Sequence, residues 1–216
     1  MAHRQARPRR SRQVRSRRDR VRQPCVPAAH DPERFPDDTE TMTSVGMGAI
    51  YTATSHRQPL RQPDPAAERR LMERWFHPYA AAFTQVVDAI LANHGRAIIV
   101  DLHSFPSDAL PYELDQLASR PGICIGTDQF HTPPALIAAA RHAFAGLRGG
   151  VGLNTPFAGS YVPLRHWCKT ARVSSIMVEI RRDLYQTEPG GPTSAECARL
   201  VETLASFLTS ATEAEG

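Results

Sequence analysis

No stretch of the 216 residues approaches the ~18 to 20 consecutive apolar residues of a membrane span. The N-terminus has no apolar core of the kind a secretory leader carries. Cysteine is scarce. The four thiols stand at positions 25, 124, 168 and 197, and no two of them form a C-x-x-C pair. That excludes a zinc knuckle and a disulfide framework, and it fits a reducing cytoplasm. There is no internal repeat. Histidines 30, 56, 77, 94, 131, 142 and 166 show no metal-ligand spacing among themselves. What remains is ordinary for a globular chain: 41% hydrophobic, 22% charged, and long enough for one domain with a substantial core.

The charge is lopsided. Residues 1–22 hold ten arginines and one acid, Asp19, a net +9. Removing it from the whole chain's +4 leaves −5 for residues 23–216. The globular part is therefore mildly acidic and suggests no nucleic-acid surface. The arginine-rich tail offers phosphate contacts but no aromatic rings for stacking on bases. Residues 1–30 have almost no hydrophobic periodicity, so they are expected to be a disordered tail ahead of a domain spanning 31–212.

Within that domain, Asp64-Pro65 is an N-cap and first-turn pair. A 3.6-residue apolar period follows through Leu71, Trp75, Tyr79, Phe83, Val87 and Leu91, with Pro78 expected to kink or split the helix. Apolar runs predict strands at 97–102, 122–126, 151–153 and 173–180. Helices are expected from Pro134 to Leu147 and from Pro192 to Thr209. Strands alternating with helices argue for an α/β three-layer sandwich around a mostly parallel central sheet.

Two of these strands end in reactive side chains. Ile98-Ile-Val-Asp-Leu-His103-Ser104 delivers an imidazole to a strand end, where α/β sheets bind ligands. Val173 to Arg182 delivers Glu179 and two guanidiniums. His103 suits a metal, and Asp101 would face the same way if the strand runs far enough to hold both. Taken alone, His103 reads more readily as a hydrogen-bonded structural histidine, and Glu179 reads equally as an ion-pair partner for a neighbouring arginine. The metal-assisted reading needs the two in one cleft. The loop Asn154-Thr-Pro-Phe-Ala-Gly-Ser-Tyr161 offers an amide, hydroxyls and a phenol. His131 is an outside candidate for a pocket rim.

Six short pieces occur in a fixed order: Asp31-Pro-Glu-Arg-Phe-Pro-Asp-Asp38, Gly46-Met-Gly-Ala-Ile-Tyr51, Asp101-Leu-His-Ser104, Ile123-Cys-Ile-Gly-Thr-Asp128, Asn154 to Tyr161, and Glu179-Ile-Arg-Arg-Asp-Leu-Tyr185. Together, over about 31–208, they resemble the N-formylglutamate amidohydrolases. The resemblance implies a fold like that of the zinc carboxypeptidases and aspartoacylase, and zinc-dependent hydrolysis of N-formylglutamate or a related N-acyl amino acid. It implies His103 as a zinc ligand and Glu179 as the catalytic carboxylate. Arg34, Arg182, Asn154 and Tyr161 would bind the substrate. It also implies an N-terminally incomplete member. No Pro-His-Ser-Gly-like motif precedes Asp31, which leaves one histidine against the three ligands a catalytic zinc needs and predicts weak zinc binding.

Two other readings compete. One is an inactive family member whose first 30 residues come from another start or reading frame, decided by reading the upstream DNA in three frames. The other is nucleic-acid binding through the tail, decided by a salt-dependent DNA shift that deletion of residues 1–22 abolishes. The oligomeric state is not legible. Trypsin should trim the arginine-rich tail and leave the domain; protection of residues 1–22 from trypsin in the isolated protein contradicts the tail assignment.

Overall fold

The computed structural model describes residues 30–116 and 119–214. Residues 1–29 of the expected tail, 1–30, lie outside them; its last residue, His30, belongs to the fold, buried in a bridge to Ile50 and stacked on Trp75. Four strands form one sheet in the order β1–β4–β2–β3: β1 Ala97–Phe105, β2 Ile123–Gly126, β3 Val151–Leu153 and β4 Val173–Arg181. β1 runs parallel to β4, and β2 parallel to β3, but β2 runs antiparallel to β4. The sheet is therefore mixed rather than mostly parallel. A four-residue strand buried on both faces carries the same apolar signature in either direction, so β2 gave no warning.

Helices cover both faces. On one, α3 (Pro134–Phe144) and α4 (Glu196–Ala214) pack over Ile123, Ile125, Ile176, Val178 and Ile180. Phe144 and Phe207 meet across that layer at 5.2 Å between ring centroids. Each such fully buried side chain contributes roughly 1.5–3 kcal/mol. On the other face, Val87, with Phe83, Ile90 and Leu91 of α2 (His77–His94), covers Ala97, Ile99 and Val173. The expected interruption at Pro78 appears as a π turn, Met72–Phe76, between α1 (Pro65–Leu71) and α2. Proline has no N–H to donate into the preceding turn, and the wider turn absorbs that gap without a break. α2 ends at Gly95, whose φ of +77° closes the last turn by donating its N–H to Leu91. No helix among the described residues is long and apolar enough to cross a membrane.

β4 is central, and eight of its nine residues are buried. Its first residues hold two distant segments. Ser175 donates its amide to His131 O and its hydroxyl to Tyr161 O, both at 2.8 Å. Thr132 Oγ1 donates to Ser175 O. Gly126 lets a loop come close: a Cβ there would meet Gly159 O at 2.2 Å.

Beyond β1, the chain from Pro106 to Pro121 is tied down by a buried ion pair. Arg120 and Glu113 join with side chains only 1% exposed. The Arg120 guanidinium also lies over the rings of Phe105 and Phe157, at 4.8 and 5.5 Å, and donates to Pro106 O. Removing one partner strands a buried charge, whereas removing both does not. Arg120→Met or Glu113→Leu alone should cost about 3–5 kcal/mol in urea denaturation, and the double variant should recover most of that. Single variants within about 1 kcal/mol of the parent would show that the pair is not sealed from water.

Candidate active site

The alternation of β1 builds the site. Ile98 and Val100 point to the α3/α4 layer, and Ala97 and Ile99 point under α2. Continuing that period of two, Asp101 and His103 fall on the α2 side of the sheet, beyond the helix's cover. The strand runs to Phe105, far enough for both to share one face. The parallel register pairs Asp101 with Met177 and His103 with Glu179. Neighbouring strands lie about 4.8 Å apart, so the imidazole and the carboxylate are adjacent. Both line one cavity of about 790 Å³, together with Arg34 and Tyr161.

His103 is held by two carboxylates. Its Nε2 lies 2.6 Å from Asp101 Oδ1 and 3.2 Å from Glu33 Oε2. Each carboxylate is in turn held by its other oxygen. Asp101 Oδ2 accepts the Tyr161 amide at 3.3 Å, and Glu33 Oε1 accepts the Tyr79 hydroxyl at 3.0 Å. Burial works to neutralise the imidazole. The hydrogen bonds and charges of Asp101 and Glu33 outweigh it and push the His103 pKa up to about 11. One imidazole nitrogen and two carboxylate oxygens all within 4.8 Å of one another are a possible cation-binding set.

Glu179 is in the opposite position. It is 9% exposed, and its Oε2 has no hydrogen-bond partner. Burial raises its pKa to about 7, despite the opposing charge of His103. Below it, Cys124 on β2 is its antiparallel register partner, spending its thiol on Phe157 O. Ser160, also in the cavity wall, has a buried Oγ without a partner.

Arg34 reaches the cavity from the turn Asp31–Glu40. Its Nε donates to Asp31 Oδ2 at 3.1 Å, and Nη1 stands 4.0 Å from Glu40. Asp31 also accepts the Glu33 amide and the Tyr51 hydroxyl, and Glu40 caps the turn by accepting from Phe35 and Met42 amides. Tyr161 packs its ring edge-on against Phe83 at 5.1 Å, and burial raises its pKa.

Three expected residues lie elsewhere. Asn154 is outside the cavity. Its amide is spent on Thr127, accepting from the backbone N–H and donating to Oγ1, both at 2.8 Å, with the backbone at φ +56°. It shapes the loop and does not face the cleft. Arg182 does not line the cavity either; it donates to Ser104 O and Oγ and pins the end of β1. His131 is 1% exposed and structural: its Nε2 accepts from the Cys168 amide, leaving Nδ1 to donate to Val173 O at 2.7 Å. Conversely, Glu33 and Tyr79 went unnoticed as site residues. Glu33 sits two residues after Asp31 in the Asp-Pro-Glu-Arg piece, and Tyr79 stands one turn before Phe83 on α2. Those spacings were the only available signals.

Comparison with known proteins gives the lineage. The family model for N-formylglutamate amidohydrolase matches residues 6–186, starting upstream of Asp31. A crystal structure of N-formylglutamate amidohydrolase from Ralstonia eutropha JMP134 superimposes with a TM-score of 0.68 at 24% identity, covering 87% of this chain and 73% of that one. A gene product from Agrobacterium tumefaciens matches with a TM-score of 0.59 at 16% identity, covering 87% of this chain and 68% of that one. No curated protein matches. The chain belongs to the N-formylglutamate amidohydrolase family.

Proposed function

We propose that this member of the N-formylglutamate amidohydrolase family hydrolyses the amide of N-formylglutamate or a related N-acyl amino acid, with a divalent cation, zinc by family, at His103. The observation that carries the reading is the in-register pair His103 and Glu179, with Glu33 and Asp101 closed on the imidazole and Glu179 Oε2 left without a partner.

The donor set fits a cation. One imidazole and two carboxylates supply three ligands and leave a position open, the arrangement of catalytic zinc. Tyr79 and the Tyr161 amide orient the two carboxylates, as outer partners of metal ligands do. When bound there, the cation would polarise the amide carbonyl and make a nearby water more acidic. The ligand set is then His103, Glu33 and Asp101, in place of the single histidine the sequence offered.

The chain's own groups do the rest. Glu179 Oε2 takes a proton from the attacking water and returns it to the departing amine nitrogen. Burial raises its pKa above the ordinary carboxylate value, which suits a group that must both take and return a proton. The Nη groups of Arg34 grip the substrate carboxylate in a planar fork, while Asp31 holds Nε. Tyr161, in the wall beside Asp101, faces the reacting carbonyl and helps to stabilise the oxyanion. Arg182 acts at a distance, by fixing Ser104 at the end of β1.

Glu179→Gln should keep metal and lose about 10²–10⁴ in kcat. His103→Ala should lose metal. A Glu179→Gln protein that turns over normally would remove Glu179 from the chemistry. Because the base must be ionised, kcat/KM should fall as pH drops through the Glu179 pKa, which a cation at His103 would hold below the cation-free value of about 7. Tyr79→Phe should weaken zinc binding about 10–100-fold by calorimetry with the melting curve preserved. Unchanged zinc affinity in Tyr79→Phe would mean that Glu33 is not a ligand.

A further inference from the structure

We infer that the cleft selects N-acyl amino acids with a single carboxylate and an apolar side chain, such as the N-formyl derivatives of phenylalanine and leucine, over dicarboxylates such as N-formylglutamate. The inference rests on reading this cleft as the amide-hydrolysing site.

The first support is a count of cations. Among the described residues, the wall presents two guanidiniums, Arg34 and Arg165. Arg165 stands at the rim with its side chain 69% exposed and pairs with Asp88 at 3.3 Å. Of the other arginines nearby, Arg120 is paired with Glu113 inside the protein, and Arg182 spends Nε and Nη2 on Ser104, so its charge reaches Glu179 but its guanidinium does not line the cavity. The described wall thus supplies one inward fork, Arg34, enough for one carboxylate.

The second support is the sign of the remaining charges. Asp31, Glu33, Glu40, Asp101, Asp128 and Glu179 line the same cavity. Even with a divalent cation at His103, carboxylates outnumber cations. A second substrate carboxylate would enter a like-charged wall with no partner among the described residues, and an unpaired buried anion is what such a site rejects best.

The third support is the apolar part of the wall. Phe35 and Trp167 meet edge-on at 5.0 Å, and Met42 and Leu164 line the same cavity. Trp167 and Leu164 are large apolar side chains left 37% and 43% exposed at the cavity. Exposed apolar surface gathered in a concave site marks a ligand groove. A cavity of about 790 Å³ has room for an aromatic side chain beside the reacting amide. The γ-carboxylate of glutamate would leave this wall uncovered.

The test uses the full 216-residue chain with zinc added. Substrates are N-formyl-L-phenylalanine, N-formyl-L-glutamate and, as an uncharged isostere of the latter, N-formyl-L-glutamine. The phenylalanine derivative should exceed the glutamate derivative at least about tenfold in kcat/KM, with glutamine between them. Trp167→Ala should erase most of the advantage through KM, and Leu164→Arg should raise kcat/KM for N-formylglutamate by supplying a second fork. Equal or better hydrolysis of N-formylglutamate by the parent chain overturns the inference. Calorimetric binding to the Glu179→Gln protein separates the two readings. If no amide is hydrolysed but N-formylphenylalanine binds about tenfold tighter than N-formylglutamate, the selectivity stands and the hydrolytic reading falls. Absence of any preference in binding overturns the selectivity itself.

Discussion

Everything at the candidate site depends on one register, that of β1 against β4. Nine residue pairs align Ala97 with Val173 through Phe105 with Arg181. Side chains alternate with a period of two, so a slip of one residue would turn His103 toward α3 and α4 while Glu179 stayed on the α2 side. The same slip would swap Ile98 and Val100 for Ala97 and Ile99 in the core. The cost of exposing those chains is what locks the register. The reactive pair is therefore held in place by apolar residues that touch no substrate.

Given that placement, two adjacent ionisable groups meet opposite fates for one reason. Glu179 is buried and His103 half-buried, and the loss of water favours the neutral form of each. For His103, two carboxylates within hydrogen-bond reach of a single nitrogen overcome burial and push its pKa up to about 11, and a cation held by the same three groups would take that proton's place. For Glu179, no donor reaches Oε2, and the charge of His103 only partly offsets burial, so its pKa settles at about 7. The decisive factor is which of the two groups has partners. Glu33, carried by a distant turn, thus does as much to define the pair as the strands do.

That long reach explains how far the sequence could be read. The strands bearing His103 and Glu179 stood out because both are continuous apolar runs ending in polar groups, and the helix period was plain from Leu71 to Leu91. The direction of β2 was hidden because burial on both faces erases alternation. Glu33 was hidden because its partner is seventy residues away, and no local pattern encodes that meeting. Asn154 and Arg182 misled for a common reason. Both are polar residues beside the cleft, but backbone groups in that neighbourhood also need partners. The Thr127 amide claimed the first and the Ser104 carbonyl the second.

The division of labour between strands and loops follows. Asp101, His103 and Glu179 lie on strands fixed by the core. Phe35, Met42, Ser160, Leu164 and Trp167 lie outside them, on the connecting segments 31–42 and 157–167. Connecting segments tolerate substitution without disturbing a sheet. The link between wall and pair is narrow. The turn that carries Phe35 also carries Glu33 and Arg34, and the loop that carries Ser160 also carries the Tyr161 amide that holds Asp101. On the proposed reading, a change in Leu164 or Trp167 would alter what the cleft accepts, whereas a shift of the 31–40 turn would move a partner of His103 and Arg34 with it. Selectivity would then drift freely on the 164–167 side of the cleft and only within tight limits on the other.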